Sequence, residues 1–161
     1  MRERVGLTQT ALARLLGVTQ PAVSAWERGV RKPSGRPACL VERLHHSLDG
    51  PVRSYADHRG RPVSLPARRW EPPISLRGDV ELPTRLDWSP RSGSWNVDEP
   101  VRRAGLYAVV LDEGSPADVR IWIDPDHLVA LWPDVPVSRH LRQPVADLVA
   151  SLTAPSEQSD C

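Results

Sequence analysis

The sequence predicts a mainly α protein: an N-terminal bundle of short helices, a Pro-rich connection holding a small β-hairpin, and a small helical C-terminal domain. Three observations carry this expectation. Apolar residues recur at helical spacing between residues 9 and 48 and again from residue 98. The stretch between them holds Pro51, Pro62, Pro66, Pro72 and Pro73, which confine any strand there to a sheet edge. Ser, Thr or Asp stands ahead of several helical patterns, twice directly before Pro, as an N-cap does.

Length and charge bound the function. A chain of 161 residues suits one ordinary domain or two small ones, not a large enzyme scaffold. Cys39 and Cys161 form no CxxC and no secretory leader is evident, so a reducing, cytoplasmic setting is expected. The longest apolar run of the C-terminal half, Leu106 to Leu111, is far short of the roughly 20 residues of a spanning helix, so no membrane is expected as a partner. The net charge of +1 is unevenly placed: residues 1–50 carry eight basic and four acidic side chains, residues 96–161 five and eleven. A basic front suits a polyanion; an acidic back suits a basic protein surface or the N-termini of helices.

The helices follow in order. Leu12, Leu15 and Leu16 recur at i, i+3 and i+4 after Thr8 as N-cap, and Gly17 ends that pattern as a left-handed C′ residue. A second helix starts after Thr19, with Gln20 and Pro21 in its first turn, and closes at Gly29. Two short helices joined by a glycine turn are the helix-turn-helix pattern. On a 100° wheel Ala22, Val23 and Trp26 form the buried arc of the second helix, with Trp26 expected in the core. Gln20, Pro21, Ser24, Ala25 and Arg28 lie opposite.

Residues 2–36 resemble the Cro/C1-type (XRE) helix-turn-helix family: Gln9 opens the motif, Ala13 is the small crossing residue, Gly17 is the turn, Val23 and Trp26 are anchors, and WERGVRKPS (26–34) is the typical tail. The resemblance implies double-stranded DNA as partner and a recognition helix in the major groove. Gln20, Pro21, Ser24 and Ala25 would then face base edges, with the Gln20 carboxamide suited to adenine N6 and N7. Gln9, Arg28, Arg31 and Lys32 would contact phosphates, which fix register and supply salt-dependent affinity. The family also pairs an Arg of its first helix with the Glu of the WE(R/N)G segment, here Arg2 and Glu27. Only Met1 to Val5 precede the motif, less than the family's first helix; a missing N-terminal turn is expected, because truncation there would uncover Leu7, Leu12 and Trp26.

Beyond the motif, RPACLVERLHHSLDG reads as one more helix, with Leu40, Val41, Leu44 and Leu48 on its apolar face, Gly50 as its stop and Cys39 as a small buried residue. VRSYAD and VSLPARRW flank a turn-like HRGRP, so residues 49–76 read as a Pro/Arg-rich linker or hairpin, with Arg53, Arg59, Arg61, Arg68 and Arg69 either solvated or a wing against phosphate. Residues 77–96 read as short strands or extended segments. From Asp98 a helix is expected with Val101, Ala104, Ala108 and Leu111 on one face and Gly114 at its end. Ser115–Pro116 and Asp124–Pro125 start two more, and a last helix from about Ser138 to Leu152 is interrupted by Pro144. Residues 1–48, 49–76, an acidic helical domain at 77–153 and a disordered tail at 154–161 are the expected divisions.

The segments LPTRLDWSP (82–90), LYAVVLDEGSPADVRIWID (106–124) and LVALWPDV (128–135) are similar to the C-terminal part of regulators encoded beside nucleotidyltransferase toxins of the abortive-infection type. That likeness implies an antitoxin that represses its own operon, with the acidic half binding a toxin. No P-loop, GxSxG, HExxH or paired-cysteine motif occurs. His45 and His46 point about 100° apart on a helix, and Asp124 and Asp126 flank a helix start, where capping is expected. No catalytic residue, metal or cofactor is therefore expected. The expected function is a sequence-specific DNA-binding transcriptional regulator, a homodimer repressing its own operon. The alternative is a toxin-binding interaction module with DNA binding secondary; a third reading is a regulator whose C-terminal half responds to a small molecule.

Overall fold

Helix α1 (Gln9–Leu16) begins where the Thr8 hydroxyl accepts a hydrogen bond from the Ala11 amide at 3.0 Å. It ends at Gly17, whose φ of 66° costs glycine little. The structure, a computed structural model, describes residues 2–88 and 93–154, with the backbone alone at Arg2 and Val5. A 3-10 turn (Arg2–Val5) leads into α1. Helix α2 (Gln20–Glu27) follows with Thr19 in extended backbone at the N-cap and Pro in the first turn, as expected, and α3 runs from Arg36 to Leu48.

The uncovering expected of the first apolar residues does not occur. Leu7 and Leu12 are both 3% exposed. The 83–87 turn lies against the chain just ahead of Leu7: Arg85 is so near Gly6 that a Cβ there would meet its Nε at 2.4 Å. Trp26, by contrast, is only half-buried, because its outer flank opens on a groove lined by Lys32, Ser34 and Pro37. Cys39 is exposed on α3 rather than buried, since Leu44 and Ser47 supply the buried stripe of that helix.

The 49–76 stretch does form a hairpin. Strand β1 (Val52–Ala56) pairs antiparallel with β2 (Pro62–Pro66), register Val52↔Pro66 to Ala56↔Pro62. The two prolines stand at the ends of β2, where a missing donor costs least. Asp57 organises the turn: its carboxylate accepts the Arg59 and Arg61 amides at 2.8 Å each and the Arg61 guanidinium at 2.7 Å. Tyr55 and Leu65 turn inward, and the hairpin packs on the helices Pro116–Trp122 and Arg142–Thr153. A second, two-residue ladder joins β3 (Asp79–Val80) to β4 (Trp95–Asn96).

Helix α4 (Pro100–Glu113) lies centrally, burying Ala104, Leu106, Tyr107, Ala108, Val110 and Leu111. Val101, expected on that face, is 84% exposed, because it lies in the first turn, ahead of the helix's packed segment. Gly114 caps α4 in extended backbone, a place that suits glycine because a Cβ there would meet the Val110 carbonyl oxygen at 2.3 Å. Helix α5 (Pro116–Trp122) opens on a full capping box between Ser115 and Asp118. Helix α6 (Pro125–Leu131) opens on Asp124, whose carboxylate accepts the Asp126 and His127 amides, so capping is what that acid does.

The last helix, α7 (Arg142–Thr153), starts later than expected. Asp112 holds Ser138 outside it through the Ser138 amide at 3.2 Å and hydroxyl at 2.5 Å. Pro144 therefore falls in the first turn and interrupts nothing, since first-turn amides have no intrahelical partner. Residues 155–161, most of the expected tail, lie outside the described residues, as do Ser89 and Pro90 of LPTRLDWSP.

One apolar cluster runs from Leu7, Leu12, Leu16, Val23 and Leu44 through Tyr55, Leu65 and Leu86 to α4–α7. Buried Arg120 of α5 ties the front to the back, donating to the Ser47 carbonyl at 3.4 Å and to the Pro51 carbonyl. Arg4–Asp49, Arg14–Glu81 and Arg43–Glu71 add exposed ion pairs at 2.6, 2.7 and 2.7 Å.

Candidate nucleic-acid interface

Helix α2 presents the predicted arc outward. Gln20 and Pro21 are exposed and Ser24 and Ala25 are partly so, whereas Val23 is 1% exposed. Ala22 is only partly buried, so Val23 alone of the expected buried arc is sealed. The helix is short and starts on Gln20, with Pro21 next, whose fixed φ favours the first turn.

Side chains from α1 and α2 form a connected row. The Gln20 amide nitrogen donates to Gln9 Oε1 at 2.5 Å, and the Gln9 amide nitrogen donates to Glu27 Oε2 at 2.6 Å. Gln9 therefore spans the two ends of α2 from the first turn of α1. Gln20 and Glu27 are seven residues apart, two helical turns, which puts them on one stripe within its reach. Tethering removes rotamer freedom from Gln20 before any ligand arrives. Its carboxamide keeps Oε1 and one N–H, the acceptor and donor that adenine N6 and N7 require.

The cationic residues sit past the end of α2. Arg28 donates to the Ser24 carbonyl at 3.3 Å, capping the helix with its own side chain. The amides of Val30 and Arg31 both reach the Ala25 carbonyl, at 3.0 and 3.3 Å, and fold the loop back along the helix. That fold brings Arg31 and Lys32 alongside Pro21, Ala25 and Trp26, bordering one open groove. Both cations are exposed. A row of amide donors and acceptors flanked by exposed cations can read base edges and neutralise phosphates.

These eight residues lie on α1, α2 and the loop that follows; Glu27, expected to pair with Arg2, also accepts from Gln9, and the Arg2 side chain lies outside the described residues. The seven-residue spacing from Gln20 was the available signal. The hairpin arginines are partly engaged elsewhere: Arg61 holds Asp57, Arg69 pairs with Asp126 and reaches the Leu152 carbonyl at 3.3 Å, and Arg53 lies 5.7 Å over the Tyr55 ring.

Residues 1–44 match the helix-turn-helix family model. The N-terminal unit is thus a helix-turn-helix domain of the kind that DNA-binding transcriptional regulators carry, as its Cro/C1-type motif implied. No curated protein and no solved structure matches the chain. Among the described residues, no helix is long and apolar enough to cross a membrane.

Proposed function

We propose that this chain is a sequence-specific transcriptional regulator that represses its own operon, binding as a homodimer to a pseudo-palindromic site with half-sites about one helical turn apart. The observation that carries the reading is the outward-facing, pre-tethered Gln20 at the start of α2. Gln20, Pro21, Ser24 and Ala25 meet base edges; Arg28, Arg31 and Lys32 meet phosphates, with Gln9 orienting Gln20 and offering its remaining N–H to the backbone.

The test is binding of the purified protein to its own upstream DNA and to a scrambled duplex at two salt concentrations. Tight binding to the upstream duplex with a steep salt slope is the expected result. Equal, weak binding to both overturns it. Gln20→Ala should weaken upstream binding by about 1–3 kcal/mol and leave scrambled binding unchanged.

A toxin-binding role for the C-terminal half is the second reading. The exposed carboxylates of Asp98, Glu99, Glu113 and Asp134 support it, because a basic partner surface would meet them. Asp112, Asp118 and Asp124, however, are occupied inside the fold. Co-purification with the product of the adjacent gene, abolished by charge reversal of these exposed acids, would favour this second role.

A further inference from the structure

We infer that Glu27 is a specificity-determining positioning residue: it sets which way round the Gln20 carboxamide faces, and so selects adenine. The inference rests on the DNA-reading role of Gln20 proposed above. A carboxylate can only accept hydrogen bonds. Glu27 Oε2 at 2.6 Å therefore obliges Gln9 to turn its nitrogen toward Glu27, which leaves Gln9 Oε1 facing Gln20. An oxygen facing Gln20 obliges Gln20 to answer with its own nitrogen, at 2.5 Å. Two ambiguous amides, each chemically free to flip, are thus locked in one sense by one charge at the far end of α2. In that sense Gln20 offers its oxygen and its second N–H as a pair to a base carrying a donor beside an acceptor, which in the major groove is adenine at N6 and N7.

Reversing the charge reverses the row. A lysine at position 27 can only donate, so Gln9 must offer it oxygen and turn nitrogen toward Gln20, and Gln20 must present oxygen inward. Its outward pair is then exchanged in place and opposes both adenine groups. Glu27→Gln, able to donate or accept, permits both senses. Glu27→Asp keeps an acceptor. None of these changes touches a base directly, and Glu27 is exposed.

The experiment is selection of bound duplexes from a randomised pool by the full chain, with Gln20→Ala defining the base position that Gln20 reads. Wild type should prefer adenine there by about tenfold. Glu27→Lys should erase that preference at that position alone, Glu27→Gln should reduce it, and Glu27→Asp should retain it. The added positive charge should raise affinity for every sequence alike, which also reports that the variant is folded. Adenine preference persisting in Glu27→Lys overturns the inference, as does a uniform affinity change with base preferences intact, or a Gln20-dependent preference for another base. A wild type that enriches no sequence overturns the regulator reading instead, a result distinguishable from all of these.

Discussion

Arg85 and Asp118 form a two-pronged ion pair across the seam of the molecule: Arg85 Nη1 donates to Asp118 Oδ2 at 3.0 Å while Nη2 grips the other carboxylate oxygen. The same carboxylate accepts the Ser115 amide at 2.8 Å, so one buried acid closes the α5 capping box and anchors the turn that covers Gly6. Removing Arg85 leaves a carboxylate that is 1% exposed with only its local partners. Arg85→Ala should cost about 2–3 kcal/mol, below the fully buried case because solvent reaches the guanidinium. Urea unfolding of Arg85→Ala, Asp118→Ala and the double variant should show the double losing less than the sum.

The hairpin turn should carry an acid-dependent share of stability. Burial pushes the Asp57 carboxyl up, but the Arg61 and Arg59 amides and the Arg61 guanidinium outweigh it and hold the group down at about 2, from an ordinary 3.8. A depressed folded value means the contribution is full above the unfolded value and is lost as pH falls from about 4 through about 2. Thermal melts should therefore show Asp57→Asn less stable than wild type at pH 6, with the gap narrowing by pH 3 and nearly closed at pH 2. A gap unchanged with pH would contradict this account.

Phosphate contact should be visible as salt dependence. Arg31→Ala and Lys32→Ala should each lower the slope of log K against log salt by about 1, and should weaken binding to all sequences to a similar degree. A loss confined to one sequence would place these residues at base edges instead.

Arg120 is a cation held almost wholly inside the protein, and burial lowers its pKa from the ordinary arginine value. It faces the Ser47 and Pro51 carbonyls, so Arg120→Met keeps the stem but leaves two acceptors without that donor. The expected cost is about 2 kcal/mol in urea unfolding. Hydrogen exchange at the end of α3 should rise with it.

Local signals in the sequence were strong wherever one residue settles a backbone choice. Thr8, Gly17, Ser115 and Asp124 mark their helix ends correctly, because a cap is a property of a few consecutive residues. The exposed arc of α2 was legible for the same reason, since periodicity fixes which side chains oppose Val23. Long-range packing was not. Nothing near Leu7 shows that the 83–87 turn lies against the chain just ahead of it, nothing near Val101 shows that its turn stays bare, and Pro144 looked disruptive only while Ser138 was counted inside the helix. The Gln9–Glu27 bond joins residues 18 apart and likewise carries no local signal. Each miss concerns which segment arrives from a distance, which period and capping chemistry do not encode.

The turn at 83–87 also bears on how this protein can be recombined. Gene fusions that swap a DNA-reading head usually cut just after the motif, here near residue 44. In this chain such a graft would take Gly6 and Leu7 away from Arg85, sever Arg14 from Glu81, and cut α3 ahead of Ser47, whose carbonyl Arg120 holds. The exchangeable head is therefore discontinuous: the first 51 residues together with the loop from 79 to 87, on a body that supplies the counterparts of Asp118 and Arg120. A chimera that transplants both pieces should retain its target preference on such a body, whereas the head alone should not fold stably.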